Sequence, residues 1–345
     1  MKKIIYSSYL FIILFVIAEI ILRYKNYKPI TIPESENKKE IKSRIDLIKS
    51  IFKPHVNHLQ VQNYFLDTLL TYEYAGKLKY SVKKRQNGSR YAGAQLIENL
   101  PSINLYGCSF TFGIGLNDTQ TCAFYLQKGI TKYNINNFGI AGAGMVDIYD
   151  KIISTIDSNT KVIIINYAYF QTDRMPNSRF YSKMKRTGGM DDYLDFMNSY
   201  ITINYYSFSK NDNLVRNEMF FPKYRILPLQ KQLALINFLD DCYSKKYERW
   251  KLDKLKISYF LLKDIFYRCK QKHIELIISN IDGSKNTNDD LIYFSSIGIR
   301  IVDFKVDNSE LKYNLLPLDG HPNELANKLF AKKIITEVKN YNLVF

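Results

Sequence analysis

The sequence predicts an α/β fold in which helices cover both faces of a parallel β-sheet. From about residue 102 onward, short apolar runs rich in β-branched residues alternate with longer helical stretches. Buried parallel strands are typically continuous apolar runs, and each parallel pair needs a crossover connection that is usually a helix. A further apolar stretch near the N-terminus is long enough to predict a transmembrane helix ahead of this domain.

Each element of this prediction rests on local periodicity. The predicted strands are the apolar runs at residues 103–106, 133–138, 161–167, 274–279 and 299–304. The predicted helices between and after them are residues 119–130, 145–157, 251–272 and 323–339. In such sheets ligands bind beyond the carboxyl ends of the strands, so functional residues are sought there.

The composition of the 345-residue chain is that of a folded protein, and its charge restricts the partners that it can bind. A formal net charge of +16 is compatible with nucleic acid, an anionic membrane or an acidic glycan. No compact run of Lys and Arg with interleaved aromatic residues occurs, so nucleic acid is not predicted. We interpret the charge as a solvated, lysine-rich surface suited to anionic surroundings, and the composition leaves the oligomeric state open.

Residues 1–24 are predicted to form a transmembrane signal anchor. Lys2 and Lys3 precede an apolar segment, residues 4–22, that is interrupted by Glu19. A cleaved signal peptide and a buried helix are the alternatives, but no small-x-small cleavage pattern follows the segment. The two lysines favour a single-pass topology with the body of the protein outside the cytoplasm, although Arg23 and further lysines follow the segment.

The rest of the chain divides into a lead-in and a main domain. Residues 25–100 are predicted to be a tether and lead-in segment containing a helix at 37–52, and residues 101–345 the α/β domain. A stretch from about 170 to 250 is too long for a simple connection, so it is predicted to be an inserted subdomain or lid with a turn at Gly188–Gly189. Its aromatic residues either stack on sugars or form its own small core.

Neither a metal nor a cofactor is predicted. The four cysteines show no C-x-x-C spacing. One or two disulfides between them are compatible with the sequence. Cys108 precedes a candidate catalytic serine. His55 and His58 lie close together, but they lack nearby further ligands.

Ser109 is a candidate nucleophile. The stretch INLYGCSFTFGIG, residues 103–115, places it between the end of a strand and a Gly-punctuated turn that leads to a helix. Backbone N–H groups at such a corner can stabilise negative charge. The alternative is that Ser109 only caps a helix.

Two further segments are candidates for the oxyanion site. In NNFGIAGAG, residues 136–144, Gly142 can bring its backbone N–H close to a ligand, although a plain glycine-rich turn has the same pattern. In NYAYFQTDR, residues 166–174, the side chain of Gln171 can point into the crevice. Asp173 and Arg174 are predicted to pair with each other at the surface.

Asp319 and His321 are the candidate acid and base. His321 lies in a Gly/Pro turn just before the last predicted helix, two residues after Asp319. A histidine on a loop can act as a general base, and a nearby carboxylate can orient it. The alternative for this segment alone is a turn with an aspartate cap.

Together these segments resemble the SGNH (GDSL-type) hydrolase family. GCSFTFG at 107–113 is similar to the family's G-D-S-F-T-F-G, NFGIAGAG at 137–144 to its N-x-G-x-x-G, and DGHPN at 319–323 to its closing Asp/His motif. The resemblance implies a three-layer α/β/α, flavodoxin-like fold. It also implies Ser109 as nucleophile, His321 as base, Asp319 as orienting acid, and the N–H groups of Ser109 and Gly142 as the oxyanion hole.

The sequence departs from the family pattern at two positions. Cys108 replaces the aspartate before the serine, and the third block lacks the asparagine that donates to the oxyanion. Gln171 is the candidate substitute. Loss of one such donor typically costs about 100- to 1000-fold in turnover.

Three functions follow from this resemblance. The first is a serine esterase or deacetylase that removes acyl groups, especially acetyl, from a cell-envelope carbohydrate. The second is an O-acyltransferase, in which a sugar hydroxyl replaces water as the acceptor. The third is a non-catalytic glycan-binding or assembly protein with the same fold, which the missing asparagine favours.

Overall fold

The computed structural model describes most of the chain. The described residues are 2–32, 38–57, 61, 69–74, 78–187, 191–282, 284–303, 310–315, 317–318 and 320–340. Three predicted features lie outside them: His58, the Gly188–Gly189 turn and Asp319.

Strands and helices alternate as predicted in the main domain outside the inserted segment. The strands are β1 Val56–Asn57, β2 Leu69–Tyr74, β3 Leu78–Lys83, β4 Ser102–Gly107, β5 Asn134–Asn137, β6 Thr160–Tyr167, β7 Ile201–Phe208, β8 Leu214–Phe220, β9 Glu275–Asn280 and β10 Arg300–Asp303. The helices are α1 Lys2–Tyr24, α2 Lys38–Ile51, α3 Ser109–Phe112, α4 Cys122–Gly129, α5 Met145–Thr155, α6 Phe170–Asp173, α7 Arg179–Thr187, α8 Asp191–Tyr200, α9 Ala234–Cys242, α10 Glu248–Lys251, α11 Lys254–Gln271, α12 Lys285–Ser296 and α13 Glu324–Asn340. A π-helical turn, Tyr243–Tyr247, joins α9 to α10.

The main sheet is parallel and has the strand order β10-β9-β6-β4-β5. Numbered by appearance within this sheet, the order is the 2-1-3-4-5 of flavodoxin-like folds. The central strands β6 and β9 are mainly apolar because both faces of the sheet are covered, and all six residues of β4 are buried. The predicted α/β fold class is therefore confirmed.

Two hydrophobic cores lie on opposite faces of this sheet. One core packs side chains of α5, α11 and α12 against the sheet, and the other packs those of α4 and α13. These cores make the three layers of the sandwich. Helix α12, between β9 and β10, was absent from the sequence prediction because its many polar residues hide a buried face formed by Leu291 and Phe294.

The inserted segment forms a second, smaller unit together with part of the lead-in. Strand β1 pairs in parallel with β7, which pairs antiparallel with β8. A third core joins Ile48 of α2 to insertion residues such as Tyr181, Phe196 and Phe221. The insertion's aromatic residues thus contribute to a core of its own, and residues 38–57 contribute to this unit, not to the main sheet.

All four cysteines are free thiols, with Cys108, Cys122 and Cys269 buried. The sequence left open whether one or two disulfides form, and the structure has none among these four cysteines. Within the described ranges, no group of His, Cys, Asp and Glu side chains is arranged to hold a metal ion.

Candidate active site

Ser109 begins a one-turn helix at the carboxyl end of β4. The turn is closed by hydrogen bonds from Phe112 N to Cys108 O at 3.0 Å and from Gly113 N to Ser109 O at 2.9 Å. Gly107 permits this tight exit, because a Cβ there would lie 2.1 Å from Thr111 Oγ1. Because β4 and β6 are the first and third strands of the flavodoxin order, this corner is the switch point at which such folds bind ligands.

The glycine block after β5 is fastened to the serine turn. Asn137 Nδ2 donates to Thr111 O at 2.9 Å, and Ile140 N donates to Gly107 O at 3.0 Å. A Cβ on Gly139 would lie only 2.3 Å from Phe112 N, so this position has room for glycine alone. Gly142 follows with a φ of +72°, a conformation that favours glycine.

The loop before α13 carries His321 to the same edge of the sheet. Leu315 N donates to His321 O at 2.9 Å, and Asn323 Nδ2 donates to Asn314 O at 3.1 Å, so the loop is held on both sides of His321. The imidazole meets the Phe110 ring edge-on, with 5.4 Å between ring centroids. This contact places His321 against the residue that follows Ser109.

These elements enclose one cleft of about 410 Å³. It brings together three residues that the sequence predicted, and its lining is Ser109, Phe110, Ile114, Gly142, Phe170, Arg174, Gly320 and His321. Its walls are mainly apolar, and its polar groups are the serine hydroxyl, the glycine backbone, the imidazole and the Arg174 guanidinium. The arrangement suits attack of a hydroxyl on a polarised carbonyl.

The structure does not place Gln171 in this cleft. Its side chain is fully buried, with Nε2 donating to Asn166 O at 2.9 Å and Oε1 accepting from Ala168 N at 3.2 Å. Both ends of the amide therefore stabilise the turn after β6. Gln171 is not available as an oxyanion donor in this conformation, so the suggested substitute for the family's asparagine does not fit its surroundings.

Asp173 and Arg174 do not pair with each other as the sequence suggested. Asp173 instead accepts from Nε of Arg249, in α10, at 2.7 Å. Arg174 turns into the cleft, with its guanidinium 4.4 Å from the Phe170 ring and Nη1 donating to Ala143 O at 3.3 Å. It is a functional candidate that the sequence interpretation missed, and only its position three residues after Gln171 could have suggested it.

Buried charge lies directly behind the glycine block. Asp147 accepts from Gly144 N at 2.9 Å at the start of α5, and burial raises the pKa of its carboxyl to about 6. Lys185 of α7 reaches the same place, since a Cβ on Gly142 would lie 2.9 Å from its Nζ. Burial lowers the pKa of this ammonium, whereas the charge of Asp147 acts to raise it. The electrostatic field beside Gly142 thus depends on Lys185, which belongs to the inserted unit.

Arg90 of the lead-in holds the far side of the serine turn. Its guanidinium donates to Phe112 O at 2.7 Å and Gly113 O at 2.8 Å, and it also contacts Leu116 O. Its Nε pairs with Asp118 Oδ1 at 2.7 Å, and the residue is 1% exposed. This positioning residue was also missed, because nothing in the local sequence distinguishes it from other arginines.

His55 lies away from this cleft, directly before β1 of the three-stranded sheet β1-β7-β8. Its backbone has a φ of +72°, and its ring packs 4.7 Å from that of Phe220. The packing accounts for this histidine as a structural residue of the inserted unit.

Fold and cleft together define a flavodoxin-like α/β/α protein with a serine and a histidine at its switch point. No family model and no curated protein matches the sequence.

Among solved structures, the chain is similar to members of the G-D-S-L family of lipolytic proteins. A protein assigned to that family from Desulfitobacterium hafniense is 13% identical, with 68% of this chain and 98% of that chain covered and a TM-score of 0.39. A family member from Veillonella parvula is 13% identical, with 68% and 96% covered and a TM-score of 0.35. A GDSL-like lipase from Bacteroides thetaiotaomicron is 10% identical, with 72% and 92% covered and a TM-score of 0.36.

Proposed function

We propose that the protein is a serine ester hydrolase that removes acyl groups, especially acetyl, from a cell-envelope carbohydrate. The observation that carries this proposal is the convergence of Ser109, Gly142 and His321 on one cleft at the switch point of the sheet. These residues come from three separate loops, so sequence proximity does not explain their meeting. A nucleophile, a base and a backbone donor are the parts that acyl transfer needs.

In the proposed mechanism, Ser109 Oγ attacks the ester carbonyl carbon while His321 takes the hydroxyl proton. The N–H groups of Ser109 and Gly142 donate to the oxyanion. As the C–O bond breaks, His321 returns the proton to the leaving sugar oxygen, which leaves an acyl-enzyme on Ser109. Water then gives a proton to His321 while its oxygen attacks the acyl carbon. His321 returns this proton to Ser109 Oγ as the Ser109 Oγ–acyl bond breaks, which releases the carboxylic acid and restores the free serine. Asp319, which lies outside the described residues, is proposed to orient His321.

The proposed location at the cell envelope rests on α1. Of the described residues, Ser7–Tyr24 form one helix that is long and apolar enough to cross a membrane, a property it shares with signal sequences. Eighteen helical residues span about 27 Å, close to the thickness of the hydrocarbon core. We propose that α1 is a single-pass anchor and that the cleft lies outside the cytoplasm. The cationic Arg174 in the cleft suits an acidic carbohydrate.

O-acyl transfer is the second candidate, and the walls of the cleft favour it. Phe110, Ile114 and Phe170 surround the serine with apolar surface. Such a surface disfavours water and leaves the acyl-enzyme to a sugar hydroxyl. Measuring acyl transfer to oligosaccharides against release of free acid distinguishes the two reactions.

The test is covalent labelling and turnover of the full chain. A fluorophosphonate probe is expected to label the protein stoichiometrically, and Ser109→Ala is expected to lose labelling and at least about a thousandfold of its aryl acetate turnover. Ser296→Ala, which removes an exposed hydroxyl at the end of α12, is the matched control and should behave as the wild type. Wild-type turnover by Ser109→Ala would refute the proposal. Absence of labelling in folded wild-type protein would favour the non-catalytic glycan-binding alternative.

A further inference from the structure

The carboxylate inside the apolar helix α1 has a structural partner in the inserted unit. Glu19 accepts hydrogen bonds from Ala234 N at 3.0 Å and Leu235 N at 2.7 Å, the first two N–H groups of α9. Such N–H groups have no partner within their own helix, so Glu19 caps α9. Four residues later, Arg23 Nη2 donates to Gln232 O at 2.7 Å. These bonds fix residues 232–235 beside the last turns of α1.

This docking places the preceding loop at the end of the apolar helix. Glu19 lies five residues before Tyr24, which corresponds to about 7.5 Å along the helix axis. Residues 232–235 are bonded to both Glu19 and Arg23. They therefore lie beside the C-terminal end of the apolar stretch of α1, at any tilt of the helix. Residues 223–231, which we name the leucine loop, lead directly into this segment.

The leucine loop presents apolar side chains outward. Leu227 is 38% exposed and Leu229 is 58% exposed, with Pro228 between them also exposed. Leu229 has a φ of +61°, a conformation that glycine or asparagine adopts far more readily than leucine. Neither core burial nor turn geometry therefore accounts for a leucine at this position.

A buried glutamine anchors the loop through hydrogen bonds. Gln230 is fully buried, and its Oε1 accepts from Leu227 N at 2.9 Å. Its Nε2 donates to Asp240 Oδ2 at 2.9 Å, and its carbonyl accepts from Ile30 N at 3.1 Å. These bonds hold the backbone of the loop, while Leu227 and Leu229 stay exposed.

Basic residues flank the exposed leucines. Arg225 and Lys231 are both exposed, on either side of the tip formed by Leu227 and Leu229. An apolar tip between cationic side chains matches the interface of an anionic bilayer, where apolar groups enter the acyl region and cations contact phosphate groups. A bilayer is favoured over a protein partner because the loop lies beside the end of α1 at which the chain leaves the proposed membrane span.

We infer that the leucine loop inserts Leu227 and Leu229 into the outer leaflet of the bilayer that α1 spans. This inference rests on the proposed membrane location of α1. The loop and α1 together form a two-point attachment that fixes how the inserted unit, and with it the cleft, faces the membrane surface. Arg225 and Lys231 contact the headgroup phosphates.

Depth-dependent fluorescence quenching in proteoliposomes tests this inference on the full chain. The protein has a single tryptophan, Trp250, which is 75% exposed and is replaced by phenylalanine to give a blank background. Leu229→Trp in this background reports on the loop. The matched control is Ile292→Trp, at an exposed position of α12 that the proposal leaves in water. Vesicles of phosphatidylcholine and phosphatidylglycerol carry a doxyl quencher either near the headgroup or deep in the acyl chain.

For Leu229→Trp we expect a blue-shifted emission and several-fold stronger quenching by the shallow doxyl lipid than for Ile292→Trp. Equal, weak quenching of both variants would overturn the inference. Extraction with alkaline carbonate separates the two levels of the proposal. If the chain remains in the vesicles while Leu229→Trp is unquenched, only the loop insertion fails. If carbonate releases the chain, the membrane span fails and the loop proposal fails with it, whereas the esterase proposal is unaffected.

Discussion

Gly139→Ala is expected to damage catalysis more than stability. The Cβ of alanine would lie 2.3 Å from Phe112 N, against an ordinary contact of 3.4 Å or more, so the two backbones must separate by about 1 Å. The atom that moves is the donor of the Phe112 N to Cys108 O bond that closes the serine turn. Overpacking of this kind costs about 1–3 kcal/mol of folding free energy, and a 1 Å misplacement of a reacting group costs about 100-fold in rate.

The assay for Gly139→Ala is the rate of fluorophosphonate labelling and aryl acetate turnover, both normalised to the folded fraction from urea unfolding. Gly298→Ala is the matched control. Its φ of +89° makes alanine strained, by about 1–2 kcal/mol, but the nearest atom to its Cβ is 3.7 Å away and it lies far from the serine turn. We expect the two variants to lose similar stability and only Gly139→Ala to lose activity. Equal activity per folded molecule in both would show that the glycine block does not position Ser109.

Three further predictions follow from the buried and cleft-lining charges. Arg90→Met should lower the free energy of unfolding by about 3–5 kcal/mol in urea titrations, because the Asp118 carboxylate loses its charged partner and keeps the Lys83 N–H, and three carbonyls lose their Arg90 donor. Arg90→Lys should recover only part of this loss. Arg174→Met should raise KM about tenfold for an aryl ester carrying a carboxylate and leave KM for the neutral ester nearly unchanged; equal effects on both would exclude charge recognition. The pKa of Asp147 is raised from 3.8 to about 6, so its ionisation destabilises the fold progressively from pH 4 to pH 6 and fully above that. Asp147→Asn should therefore gain up to about 3 kcal/mol relative to wild type between pH 4 and pH 7, and a flat difference in unfolding free energy would contradict the raised pKa.

The fold was predictable where the burial of a segment produces a recognisable local pattern of apolar residues. Strands such as β4 and β6 are buried on both faces, so they read as continuous apolar runs, and their bounds agree with the prediction within one residue at each end. Helix α12 was not predicted because most of its residues are polar and the apolar part of its buried face is only Leu291 and Phe294. The packing of α2 and β1 on the inserted unit was also not predicted, because pairing between residues about 145 positions apart leaves no local signal in the sequence.

The candidate site divides in the same way. The meeting of Ser109, Gly142 and His321 in one cleft could be predicted because each lies in a turn motif after a strand or before a helix, and parallel topology brings such turns to one edge. Gln171 was misplaced because a strand-end amide can as well bond to its own turn as face the crevice. Arg174 was missed because the pairing of Asp173 with the distant Arg249 frees Arg174 for the cleft.

The sequence by itself determined the alternation of strands and helices in the main domain, the apolar N-terminal helix and the candidates for nucleophile and base. These depend on periodicity, turn chemistry and residue type, which act over a few neighbouring positions. Only the tertiary structure decided that Arg90 holds the serine turn, that Arg174 and Lys185 set the charge around Gly142, and that Glu19 of α1 caps α9. Those contacts join residues that are far apart in the chain, and their energies come from burial and charge that exist only after the chain has folded.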